Sequence, residues 1–490
     1  MKKYPIGTKF NEVLTEDIIK TWKGENIILN GATGSGKTYF IENNLHKYAG
    51  ENFKSILFLC NRTALYHEIL LEKEHLGLNC MDVMLYQTLQ SKLKDKEQIP
   101  QYNFIACDEW HYVLTDAMFN KYTDLTYDWI ISQETSCKIF MSGTAENIFN
   151  KLKKDKIVKE ENEYIIPYSY AYVKECKIYK EKADVFNIIN NILNTTDDKI
   201  IYFANSTDFA LEVYRQFKDE AYFRCSTSSK NETAKELNDI ECIETIKRSL
   251  ITFNKRLLIT TKALDNGINI KDKQIKHIIC DVFDLESAQQ CLGRKRKIDN
   301  DDTCTFYIRN YDKRAIGNFK GGLNRIYNPV KAFVEQREEF ETKYGQDRDF
   351  HTPYIYNVGD KREYNKLAYW KMICDSSDIE LMEKHSYQYV FLRRLGDTMT
   401  NIVDLEELKK YKLKGELELY LDEIKNIKLD KEKQEELIDK IGLIDKRGRL
   451  QKSISQLNAY LIENYNLSII SKRVSIDNKR KTVWIINEVK

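Results

Sequence analysis

The residues Gly31-Ala32-Thr33-Gly34-Ser35-Gly36-Lys37-Thr38 follow the spacing GxxxxGK[ST], which curls a backbone around phosphate. Gly31, Gly34 and Gly36 let successive N–H groups turn toward one anion, with Thr33 and Ser35 completing the loop. A helix starting after the loop adds its positive end. Lys37 has the reach for the β- and γ-phosphates of a nucleotide, and the Thr38 hydroxyl suits Mg2+. The context is the required one: an apolar run, NIILN at 26–30, enters the loop, and TYFIENNLHKYA leaves it as a helix.

Asp108-Glu109 ends a second apolar run, FIAC at 104–107. Asp108 can hold the Mg2+ shell, and Glu109 can orient and deprotonate a water. Adjacent acids are common on surfaces; these gain meaning from a buried strand in the same domain as a phosphate loop. Trp110 and His111 extend the pair to DEWH. His111 fits a coupling role between the nucleotide and a neighbouring lobe, and also a plain cap or core role. Far along the chain, Gln290 and Gly293-Arg294-Lys295-Arg296-Lys297 follow the run HIICDVF at 277–283. A loose phosphoryl-transfer transition state gains from positive charge at the γ-phosphate, so Arg294 or Arg296 is a candidate arginine finger. The bland alternative is a solvated basic face.

Elements that could position these groups are legible as alternating short apolar runs and helical stretches. SILFLC at 55–60, FIAC and KIFM at 138–141 join NIILN in a first α/β domain over 1–155. The charged stretch 151–165 reads as a linker or domain edge. KIIYF at 199–203, RLLIT at 256–260, HIICDVF and TCTFYI at 303–308 make a second α/β domain over 156–310. Aromatic and charged residues then interleave, and helical periodicity dominates a region over 311–445. In the last segment, 446–490, SISQLNAYLIENYN reads as a helix and LSIISKRVSI and KTVWII as a hairpin. That order outlines a winged-helix module or a plain α+β cap.

With 490 residues, 77 basic and 75 acidic, the net charge is +2, so bulk charge announces no nucleic-acid partner and any basic footprint is local. None of the 11 cysteines forms a CxxC pair, which favours reduced, buried thiols over disulfides or zinc. No apolar run approaches membrane-spanning length and no leader pattern opens the chain. A soluble, cytoplasmic protein with no membrane contact is expected.

Taken in order, these segments resemble the superfamily-two helicases, specifically the DExH-box group, over roughly residues 25–300. The resemblance implies two RecA-like lobes with ATP and Mg2+ between them and a nucleic-acid strand across both. GATGSGKT looks like motif I. CNRTAL at 60–65 looks like motif Ia, with Arg62 and Thr63 near the phosphate backbone, and YQTL at 86–89 places Thr88 in a motif Ib-like contact. DEWH corresponds to motif II, and Ser142-Gly143-Thr144-Ala145 to motif III, which links hydrolysis to strand movement. IYFANS at 201–206 brings Ser206 into motif IV. TTKALDNGINI at 260–270 resembles motif V, with Thr261 near nucleic acid and Gly267 near nucleotide; QCLGRKRK at 290–297 resembles motif VI.

The chain departs from the family's QRxGRxGR at Cys291 and Lys297. If the pattern is QxxGRxR, as in some viral origin-binding-like helicases, Arg296 takes the second place. Asn266 and Asn269 stand where many relatives carry Arg and Asp, and no adenine-reading glutamine motif precedes Gly31. The resemblance implies an ATP-dependent helicase or translocase, with DNA favoured over RNA as track and a bacterial phage or mobile-element replication or repair setting. A nucleic-acid-stimulated ATPase that remodels complexes without unwinding fits the same motifs, as does an RNA helicase. The alternating aromatics Tyr311, Phe319, Tyr327 and Phe333 are a candidate strand-separating wedge or else a helical core. The basic hairpin around Arg473, Arg480 and Lys481 is a candidate duplex contact. Oligomeric state is not legible.

Overall fold

Runs of β-branched and aromatic residues become strands buried on both faces, the pattern of a parallel sheet covered on each side. Ile56–Cys60, Phe104–Cys107 and Cys137–Ser142 are buried throughout. In this computed structural model they belong to a seven-stranded sheet ordered Lys2–Lys3, Glu163–Ile166, Ile27–Gly31, Cys137–Ser142, Phe104–Cys107, Ile56–Cys60, Met81–Leu85. Every neighbouring pair is parallel. A second seven-stranded sheet runs Ala221–Arg224, Leu257–Thr261, Lys199–Ala204, Ile275–Cys280, Cys304–Arg309, Val173–Tyr179, Ile402–Asp404. Its first six strands are likewise parallel. Two RecA-like α/β lobes are therefore the fold, in line with the alternation of runs in the sequence.

The structure describes residues 1–490 except 33, 62, 226–230, 238–252, 262–269, 296, 300, 346–351, 397–400, 446–447, 477–478 and 490. Thr33, Arg62, Gly267 and Arg296 thus lie outside the described residues, as do Asn266 and Asn269. The chain forms two compact units, Met1–Val403 and Asp404–Lys490. All described cysteines are free thiols. No helix among the described residues is long and apolar enough to cross a membrane.

At two places the structure bears on alternatives that the sequence left open. The stretch 151–165 is not a linker: it ends in the strand Glu163–Ile166, paired between Lys2–Lys3 and Ile27–Gly31. Its charge is tolerated inside because the Glu163 carboxylate accepts from Lys153 Nζ at 2.8 Å and Asn30 Nδ2 at 3.2 Å. The four aromatics named as a wedge or a helical core pack against the body of the fold. Tyr311 and Phe333 are buried, Phe319 stacks on Phe283 with centroids 3.6 Å apart, and Tyr327 stacks on Tyr369. Each of the four thus has a ring or core partner, with Phe319 and Tyr327 partly exposed.

Those aromatics belong to helices packed on the lobes, chiefly Lys313–Glu335 and Lys366–His385. The second unit by itself carries the helices Leu405–Ile424, Lys431–Ile441 and Ile454–Tyr465, then the antiparallel strands Leu467–Ile476 and Lys479–Glu488. Its core gathers around Leu421, Leu437, Leu461, Trp484 and Ile486. The hairpin residues Arg473, Arg480 and Lys481 are exposed.

One buried side chain fixes where the helix Lys366–His385 begins. Asn365 accepts from Ala368 N–H as the N-cap and donates Nδ2 to the carbonyls of Ala117 and Asn120, both at 3.1 Å. Asn365→Ala removes the cap and strands two buried carbonyls. The expected loss is about 2–3 kcal/mol, read as a lower thermal midpoint for Asn365→Ala than for the parent.

Candidate nucleotide site and inter-lobe relay

The candidate residues of the phosphate loop, of DEWH and of Ser142-Gly143-Thr144 lie at the carboxyl ends of parallel strands, where open α/β sheets bind ligands. The phosphate loop follows Ile27–Gly31 and leads into the helix Lys37–Tyr39, which continues through a π-helical turn, Phe40–Leu45. Gly34 and Gly36 hold φ at +84° and +83°, a region that glycine enters without strain. At Gly31 a Cβ would come within 2.6 Å of the Phe10 ring. The start of the helix Phe10–Val13 braces the loop, with Phe10 N–H donating to Ser35 O at 2.9 Å. Lys37 Nζ donates to the carbonyls of Gly31 at 2.6 Å and Ala32 at 3.1 Å. The Ser35 hydroxyl is buried without a hydrogen-bond partner among the described residues. A glycine-rich loop at a helix start with a buried cation and a buried hydroxyl fits a phosphate.

Beside the loop, Asp108 N–H donates to Leu59 O and Trp110 N–H to Met141 O, both at 2.9 Å. The residue between them, Glu109, is held at φ +46°, a left-handed conformation that side chains other than glycine rarely adopt. Trp110 supplies the anchor. It is fully buried, with ring centroids 4.9 Å from Phe140 and 5.9 Å from Tyr127. The two carboxyls part company electrostatically. Burial and the neighbouring Glu109 charge push Asp108 well above the usual carboxylate range. Burial also pushes Glu109 upward, but the His111 hydrogen bond and the charges of His111, Lys37 and Arg294 outweigh it and hold Glu109 far below that range.

His111, Ser142, Thr144 and Gln290 are brought together as one chain of contacts. His111 Nδ1 lies 3.3 Å from Glu109 Oε2 and 2.9 Å from Ser142 Oγ. Thr144 N–H donates to Ser142 Oγ at 3.3 Å, and Gln290 Nε2 donates to Thr144 Oγ1 at 2.7 Å. The last bond crosses from one lobe to the other. Gln290 sits on the helix Leu285–Leu292, and Arg294 follows that helix, only 3% exposed, donating Nε to Gln290 O at 3.1 Å. Lys295 is also buried and pairs with Asp302 at 2.7 Å, so neither residue belongs to a solvated basic face.

Thr63 and Thr88 are exposed just beyond the neighbouring strands Ile56–Cys60 and Met81–Leu85. Ser206 and Thr261 occupy the same edge of the second lobe, after Lys199–Ala204 and at the end of Leu257–Thr261. Ser206 also caps its helix, accepting from Phe209 N–H at 3.3 Å. Sequence reasoning missed Tyr168 and gave Gly143 no role. A Cβ at Gly143 would lie 2.0 Å from the Tyr168 hydroxyl and 2.8 Å from Gly31 O, so the glycine lets the inter-lobe segment and the phosphate loop close on one point. The glycine within SGTA was the available signal; nothing marked the tyrosine.

Because the Asp108 carboxyl titrates higher in the fold than in the open chain, its ionised form destabilises the protein. That penalty is absent below the open-chain value and grows as pH rises through the carboxylate range toward neutrality. Asp108→Asn is expected to raise the melting temperature of the nucleotide-free protein at about pH 8, by a free energy on the order of 1–2 kcal/mol, and by less at about pH 5.5. Calorimetry at both pH values measures this; a variant melting below the parent at the higher pH would contradict the charge balance.

No protein-family model matches the sequence. No curated protein matches it either. Among solved structures the chain is similar to S. cerevisiae Dbp5 bound to RNA and ADP BeF3, at 15% identity, over 61% of this chain and 82% of that one, with a TM-score of 0.43. A variant of Dbp5 in the same bound state aligns at 14% identity with the same coverage and TM-score.

Proposed function

We propose that the chain is an ATP-dependent nucleic-acid helicase or translocase of the DExH-box kind, acting on DNA. The observation that carries this reading is the continuous polar chain from Glu109 through His111, Ser142 and Thr144 to Gln290. It ties a hydrolytic carboxylate in one lobe to a helix of the other. A metabolic kinase needs a phosphate loop but has no use for such a connection.

In this reading Lys37 and the loop N–H groups bind the β- and γ-phosphates, and Arg294 approaches the same phosphates from the second lobe. Mg2+ held by Thr38 and Asp108 would neutralise phosphate charge, and the raised titration of Asp108 is the state that a divalent cation reverses. Glu109 orients the attacking water. Loss of the γ-phosphate removes what Arg294 and Lys37 share, and His111, Ser142 and Thr144 pass the change to Gln290. Thr63 and Thr88 in one lobe and Ser206 and Thr261 in the other grip successive backbone phosphates, which positions a strand without reading its sequence. The basic hairpin of the second unit, a winged-helix-like element here, binds duplex DNA.

Glu109→Gln is expected to lower ATP turnover by at least about a hundredfold while leaving ATP binding intact. Single-stranded DNA should stimulate the parent chain, and matched RNA should not. Stimulation by RNA alone would replace the proposed track. No hydrolysis by the parent under any condition would leave an ATP-gated binding protein instead. The triple change Arg473→Gln, Arg480→Gln and Lys481→Gln should flatten the salt dependence of duplex binding, by about 0.9 in log–log slope for each phosphate no longer neutralised.

A further inference from the structure

The helix Lys366–His385 belongs to neither sheet, yet it changes hydrophobic core along its length. Leu367, Ala368 and Met372 pack in the cluster that contains Trp110. Ile379 and Met382 pack in the cluster of the second lobe. Polar contacts follow the same division. At its start, Asp124 of the first lobe accepts from Lys366 N–H at 2.6 Å and Leu367 N–H at 3.1 Å, and Trp370 Nε1 donates to Asn147 O at 2.9 Å. Beyond its end, the Tyr387 hydroxyl donates to Val282 O of the second lobe at 2.8 Å.

Two cations join these elements, Lys371 buried and Arg394 partly buried. Lys371 Nζ is 3.2 Å from Asp284 and 2.5 Å from Asp375. Asp284 is the N-cap of Leu285–Leu292, accepting from Ser287 N–H at 2.9 Å. Arg394, on the next helix, pairs with Asp378 at 2.8 Å and lies 4.0 Å from Glu286, in the first turn of the same Gln290-bearing helix. The charge of Glu146, from the first lobe, also acts on Arg394. Burial alone would push Lys371 down, and the charges of Asp284, Asp375 and Glu286 more than reverse it. Buried ion pairs are poor sources of stability relative to apolar packing, and their best-attested use is to fix register. Here the register they fix is that of the helix carrying Gln290.

We propose that Lys371 and Arg394 are positioning residues for hydrolysis: they hold the first turn of Leu285–Leu292, at Asp284 and Glu286, against a helix anchored on the other lobe, and so keep Gln290 and Arg294 aimed at the Glu109 site. This rests on the ATPase reading above. Neither cation touches the nucleotide; both act through that one helix.

The test compares the full chain with Lys371→Met, Arg394→Gln, Lys371→Arg and a charge-free triple variant, Lys371→Met with Asp284→Asn and Asp375→Asn. The triple variant keeps a capping side chain and removes both carboxylates that pair with Lys371, so it reports on positioning even if Lys371→Met alone folds poorly. Steady-state ATP hydrolysis and amide hydrogen exchange over 285–292 without nucleotide are measured on each. The expected result is a kcat lower by about tenfold or more in the triple variant and Arg394→Gln, KM for ATP within about threefold, and partial recovery in Lys371→Arg. Exchange over 285–292 should rise by about tenfold while the core strands of both lobes keep their protection. A triple variant that hydrolyses ATP and exchanges like the parent overturns the proposal. If the parent itself hydrolyses no ATP, the ATPase reading fails separately, and unchanged exchange over 285–292 would still overturn the positioning role.

Discussion

Two adjacent carboxylates cannot both stay ionised in a protein interior unless cations are brought to them, and much of this molecule is arranged around that requirement at Asp108 and Glu109. The compensating charges come from three separate places: Lys37 on the phosphate loop, His111 two residues on, and Arg294 from the other lobe. Their effect is unequal. Glu109 takes most of the compensation and stays ionised, while Asp108 remains high until another cation reaches it. Environments that push a pair apart assign the pair two roles. A carboxylate held as low as Glu109 is a weak base. In the hydrolysis proposed above such a group orients water and bears charge, which suffices for a loose phosphoryl-transfer transition state.

Holding Glu109 there strains the backbone, and the surrounding structure over-determines it. Hydrogen bonds to strands on either side fix the residues before and after it, and the buried Trp110 ring locks the turn. The strained residue sits where His111 and Ser142 can both reach its carboxylate. A shift in that carboxylate is therefore felt at Ser142 Oγ, which also accepts from Thr144 N–H, and Thr144 is the contact for Gln290. The seam between lobes at this point is polar. Polar contacts can break and reform within a cycle, whereas a well-packed apolar seam would favour one arrangement.

The phosphate loop and DEWH were legible because their chemistry is local: glycine spacing, a cation at a fixed offset and acids at a strand end. The lobes were legible because strands buried on both faces read as continuous apolar runs. Edge or interrupted strands did not read that way. Met81–Leu85 is buried only at its first residue, and Val173–Tyr179 carries Lys174, Glu175 and Lys177 among its apolar positions. The four-residue strand Glu163–Ile166 was hidden by flanking charge that Lys153 and Asn30 satisfy in space. Least legible were the contacts of Lys371 and Arg394, whose partners at Asp284 and Glu286 lie 87 and more than 100 positions away in the chain. Composition alone left the aromatics after residue 311 free to face solvent bases; packing put them inside because each found a ring or core partner.

Two helices bridge the lobes, and their sequences make them mechanically unlike. Lys313–Glu335 places Ile316 in the core of the second lobe and Val330 and Phe333 in that of the first. Between these attachments it carries Gly317, Gly321, Gly322 and Pro329. Glycines weaken a helix, and proline removes one of its hydrogen bonds, so bending concentrates there. Lys366–His385 has neither residue type between Leu367 and Met382, and its middle is pinned by Lys371. If the lobes move, the first helix can absorb the change and the second transmits it. The transmitted displacement arrives at Asp284, the N-cap of the helix Leu285–Leu292 that Arg294 follows. A rigid bridge and a compliant one in parallel thus answer a change in lobe separation differently, and the stiff one is the one paired through Lys371 to the cap of the Gln290-bearing helix.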